Sequence, residues 1–137
     1  MNFDQNFLQN FESGELPEKD FDHAAHVWVT WYYLSHFNFP DAKNKVRSGI
    51  KNFLKVKKLD SSIYNETITV VFIHLIEVAR RSHANEHLTW DQFKASHSEL
   101  FYKKNSPLFT YYRLETLQSK EAKLTFVTPD LRPLPRF

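Results

Sequence analysis

The segment "ETITVVFIHLIEVARR", residues 66–81, constrains the fold more than any other stretch of the chain. Its first turns are apolar nearly all round a period of 3.6 residues, the pattern of a helix surrounded by others rather than one lying on a surface. Neighbouring segments must then supply apolar faces to cover it. Residues from Asp41 to about Leu59 do so, with Ala42, Val46, Ile50, Phe53 and Leu54 on one face and Lys43, Arg47, Lys51, Lys55 and Lys58 on another. Gly49 lies on the apolar face. It predicts a close helix crossing, since a bare glycine costs about 1 kcal/mol of helix propensity.

The remaining segments follow the same period. Phe3, Phe7, Leu8 and Phe11 recur at helical spacing, and Gly14 followed by Pro17 supplies a stop. Asp20 or Asp22 caps a second helix from about His23 to His36, which ends before Pro40 because the residue ahead of a proline is pushed out of the α region. Thr89 caps a helix reaching Leu100, Ser106 caps another with Pro107 in its first turn, and "SKEAKLTF" adds a short turn or two. Three prolines among the last nine residues make the end of the chain extended. With 13 Phe but only 2 Gly, the chain is rich in core-forming side chains and poor in the glycine that hairpins use. The expected architecture is an all-α, single-domain bundle over residues 1–137, with about five to six helices and an extended Pro-rich C-terminal tail.

Composition narrows the function. Eighteen Lys and Arg against sixteen Asp and Glu leave a net charge of +2, too balanced for a dedicated nucleic-acid binder, so the basic stripe from Lys43 to Lys58 reads as a solvated face. With no Cys, neither a disulfide framework nor a thiolate nucleophile or metal ligand exists. The longest apolar run is broken by His74 and Glu77, and "MNFDQNFLQNFESGELP" lacks the basic and continuous apolar regions of a signal peptide. These features predict a cytoplasmic protein that neither spans a membrane nor binds nucleic acid. Oligomeric state leaves no signature in the sequence.

The residues that could carry chemistry begin with "FDHAAHVWVTWYYL". His23 and His26, three apart on a helix, are separated by about 60° and about 4.5 Å and can point at one centre. The positive end of the helix dipole disfavours imidazolium in that first turn, while Asp22 pulls the other way. A third group is offered by "YNETIT", where Glu66 sits above Val70 and Ile73. An ordinary helix start, with Asn65 as cap and Glu66 as a first-turn acid, explains the same residues. His74, inside the apolar run, reads as a hydrogen-bonded core histidine. Tyr111 and Tyr112 are polar aromatics able to close a pocket or simply to pack. Arg113, able to fork onto a carboxylate or phosphate, reads instead as a solvated side chain.

Taken together, "HAAHVWVTWYYL", "RSGI", "YNETIT" and "PDLRPLP" resemble a group of small bacterial all-helical proteins without an assigned reaction, which carry H-x-x-H-[VL], W-x-Y-L, R-x-G-I, Y-[HN]-E-T-I-T and P-D-L-x-P-L-P. The resemblance runs over nearly the whole chain. It implies that His23, His26, Tyr64, Asn65 and Glu66 form one set, and the group resembled carries aromatics in the region of Tyr111 and Tyr112. Asn65 stands where a histidine is common, which removes a nitrogen ligand or proton-transfer group. The expectation is a small-molecule pocket protein: His23, His26 and Glu66 bind a divalent Zn, Fe or Mn ion or act as acid and base on a small polar substrate, and Tyr64, Asn65 and Tyr112 contact the ligand. The alternative is a non-catalytic ligand-binding or protein-interaction domain.

Overall fold

A computed structural model describes residues 2–137. The chain is all-α: α-helix accounts for more than half of it, and no strand occurs among the described residues. It divides into two compact units between Tyr64 and Asn65.

The first unit holds α1 (Gln5–Ser13), α2 (His23–His36) and α3 (Phe39–Val56), with α3 packed against both others. Each helix starts at a side chain that accepts from a first-turn amide, Asp4 from Phe7, Asp22 from Ala25 and Asn38 from Asp41, so local chemistry sets the boundaries. α3 begins two residues earlier than expected. Pro40 lies inside its first turn, where the missing N–H is not needed, so the proline opens this helix instead of excluding Phe39 from it. Its other end is Val56, short of Leu59. The core gathers on Phe11, which is 0 % exposed and lies 4.6 Å from the Phe21 ring and 5.8 Å from that of Phe53. Gly49 is the expected close crossing: a Cβ there would stand 3.0 Å from the ring of Phe11. Gly14 ends α1 in the left-handed region at φ 82°, its N–H donating to the Phe11 carbonyl.

The second unit is built on α4 (Glu66–Arg81), none of whose residues from Thr67 to Arg80 is fully exposed. That matches the all-round apolar pattern. It is followed by α5 (Trp90–Ser96), α6 (Leu114–Leu117) and α7 (Lys120–Leu124), so seven α-helices occur among the described residues, more and shorter than the sequence pattern predicted. The helix expected to reach Leu100 stops at Ser96, and a separate 3₁₀ turn covers Ser98–Phe101. Ser106 and Pro107 open another 3₁₀ turn, Pro107–Thr110, instead of a full helix. Both caps act as predicted; the segments behind them are too short to propagate.

The proline-rich end is tied down along its length. Thr67 Oγ1 donates to the Thr125 carbonyl at 2.9 Å and accepts from Val127 N at 3.0 Å, and Tyr112 Oη donates to the Val127 carbonyl at 2.5 Å. Leu131 N donates to the Tyr111 carbonyl, and His74 Nε2 donates to that of Pro135. Phe137 lies 4.7 Å from the His74 ring, with the Arg81 guanidinium 4.6 Å from its centroid. The tail is thus held both through carbonyls, at Val127 and Pro135, and through amides, at Val127 and Leu131.

Candidate functional site

In the first unit, Asp22 caps α2 through its side chain, 2.9 Å from Ala25 N, and its carbonyl accepts from His26 N at 3.0 Å. His23 is therefore the first helical residue and His26 the fourth. Phe21, just ahead of the cap, stacks on the His26 ring at 3.9 Å and 24°. A contact between the residue before the cap and the fourth helical residue is the geometry of a hydrophobic staple, here with an imidazole as one arm. Burial first and the charge of His23 second, against the opposing charge of Asp22, lower the pKa of His26 to about 4. His26 is thus neutral near pH 7, with burial rather than the helix dipole as the main cause.

Further along α2, Thr30 Oγ1 donates to the His26 carbonyl at 2.8 Å. Tyr33 Oη donates to Glu12 Oε2 at 2.7 Å, and burial followed by that carboxylate raises its pKa well above the ordinary phenol value. Tyr64, 9 % exposed, has the Lys51 ammonium 4.9 Å from its ring centroid. It lines an open cleft of about 580 Å³ with Leu54, Leu59, Lys51, Lys55 and Lys58. Three lysines of the stripe expected to be a plain solvated face thus border an apolar cavity.

In the second unit, Glu66 is the first residue of α4 and Asn65 its cap, accepting from Ile68 N at 3.0 Å. The Asn65 amide also donates to the Leu117 carbonyl at 2.7 Å, so both ends of this side chain are engaged. Tyr112 is 0 % exposed, its hydroxyl bonded to Val127, and burial followed by the charge of Asp130 pushes its pKa up to about 12. Asp130 accepts from Arg113 N and from Thr116 Oγ1, and these bonds, with the Thr116 bond foremost, lower its pKa. Arg113 has an exposed side chain.

Two polar features escaped the sequence reading. Glu77, 1 % exposed, accepts from Arg80 Nε at 2.8 Å and from Arg81 Nε at 3.1 Å. The i,i+3 and i,i+4 spacing was the available signal. His83 and His97 bring their Nε2 atoms to 2.8 Å. They stand fourteen positions apart in the chain, and no local pattern announces such a pairing. Among the described residues no group of three or more His, Asp or Glu side chains forms a candidate metal site, and no helix is long and apolar enough to cross a membrane. No family model, no curated protein and no solved structure matches the chain.

Proposed function

We propose that this protein binds a small polar molecule at the start of α2, with His26 as proton acceptor or hydrogen-bond acceptor and His23 as its partner. The observation that supports the reading most is the stack of Phe21 on His26, which fixes an imidazole that stays neutral near pH 7. A neutral, oriented imidazole is the form a general base requires. The motif set adds Glu66, Tyr64 and Asn65 to these histidines on sequence grounds.

The test is a nuclear magnetic resonance screen of small carboxylates, amides and phosphates that follows the histidine Hε1 signals. A compound that shifts His23 and His26 and loses affinity by about 10-fold or more in His26→Phe supports the reading. A screen in which neither signal moves defeats it. A second reading, ligand binding without catalysis, is favoured by the cleft that Tyr64 lines, because three lysines share its lining with Leu54 and Leu59 and suit an anion with an apolar body. In that case a carboxylate such as decanoate shifts Tyr64 and leaves His23 and His26 unmoved.

A further inference from the structure

His83 follows α4, and His97 ends α5; their rings are 5.0 Å apart at 80°, with side chains 22 % and 16 % exposed. Each ring has a carboxylate behind it: His83 Nδ1 is 3.2 Å from Glu86 Oε2, and His97 Nδ1 is 3.3 Å from Glu99 Oε1. A carboxylate only accepts, so each Nδ1 carries the proton, and a neutral ring protonated there has a bare lone pair on Nε2. The two Nε2 atoms nevertheless face each other at 2.8 Å. Two such lone pairs at that separation need a cation between them, either a proton shared as an N–H···N hydrogen bond or a metal ion that takes its place.

From this we infer that His83 and His97 bind a zinc-type divalent ion through their Nε2 atoms, with Glu86 and Glu99 as the carboxylates that orient the rings. Carboxylate-backed imidazoles are the usual supporting arrangement for histidine ligands, and it raises their basicity toward metal. Two nitrogens each about 2.0–2.1 Å from a tetrahedral ion stand about 3.3 Å apart. The rings therefore need to open by only about 0.5 Å. Phe93, 1 % exposed, lies 5.0 Å from the His97 ring and limits its rotation. The two remaining coordination positions fall to water, so the site is open and weaker than one with four protein ligands. It is independent of His23 and His26, which lie in the other unit.

Calorimetric titration of Zn²⁺ into the full chain and its variants tests this. The expected result is binding that weakens by about 10-fold or more in His83→Ala and in His97→Ala, and by about 10-fold in the double variant Glu86→Gln/Glu99→Gln. His23→Ala/His26→Ala should bind as the parent does. Zn²⁺ should also shift the Hε1 signals of His83 and His97 in the unsubstituted protein, a readout that survives if a variant fails to fold. Affinity unchanged by loss of either imidazole, or zinc shifts confined to His23 and His26, overturns the assignment.

Discussion

Replacing His26 by phenylalanine keeps a ring for Phe21 to stack on and removes the titration, so it should flatten the acid limb of the stability curve. The His26 pKa falls from the ordinary 6.5 to about 4 on folding. Between those values the unfolded chain binds the proton and the folded chain does not, so stability rises with pH through this window and is lost as pH falls. With about 1.4 kcal/mol for each pH unit, the loss attributable to this one group is about 2 kcal/mol at pH 5 and about 3 kcal/mol at pH 4. For a chain of this size about 2 kcal/mol is a fall of roughly 6–10 °C in Tm between pH 7.5 and pH 5. Other histidines and carboxylates titrate over the same range, so the measured quantity is the difference between parent and variant, followed by circular dichroism melts at half-unit steps. The parent should lose stability faster than His26→Phe below pH 6.5. Melting curves that stay parallel from pH 8 to pH 4.5 would refute the burial argument.

Three further outcomes follow from the packing. Gly14→Ala should cost about 2 kcal/mol or more in denaturant titration, because φ is 82° and the new Cβ would lie 2.5 Å from Val56 Cγ1. Adding Val56→Ala removes the Cγ contacts but leaves the residue-56 Cβ 2.7 Å away, so it should recover only a fraction of that loss, and full recovery would show that the left-handed backbone carries no strain. Asn65→Ala, which loses both the cap on α4 and the bond to Leu117, should cost about 1–2 kcal/mol, and Asn65→Ser, which keeps a cap, about half as much. Equal Tm values for the two variants would refute the separation of cap from tether. Thr67→Val removes the hydroxyl shared by Thr125 and Val127, with an expected cost of about 1–2 kcal/mol and faster hydrogen exchange at Val127 N–H; unchanged exchange there would show that this hydroxyl does not hold the tail.

The sequence by itself determined what depends on near neighbours. The caps at Asp22, Asn65 and Thr89 are legible because a capping side chain reaches an amide only two or three residues on, and the helical starts of α2, α4 and α5 follow from them. The period of apolar residues likewise identified α4 as a buried helix and Gly49 as a close crossing. Proximity of His23 to His26 was readable for the same reason.

Only the tertiary structure decided the contacts made at a distance. Burial, not the dipole of its own helix, is the largest cause of the lowered basicity of His26, and burial depends on how segments pack. The same lysines that read as a solvated stripe border a cavity once the chain after α3 turns back and brings Tyr64 beside Lys51. His83 meets His97 only because the chain between α4 and α5 reverses, and the proline-rich end finds Thr67, His74 and Tyr112 across many residues. Periodicity registers which face of a helix is apolar. It carries no record of which side chain from another segment will lie against that face, because such a pairing is set by the summed packing of all the segments rather than by any one of them.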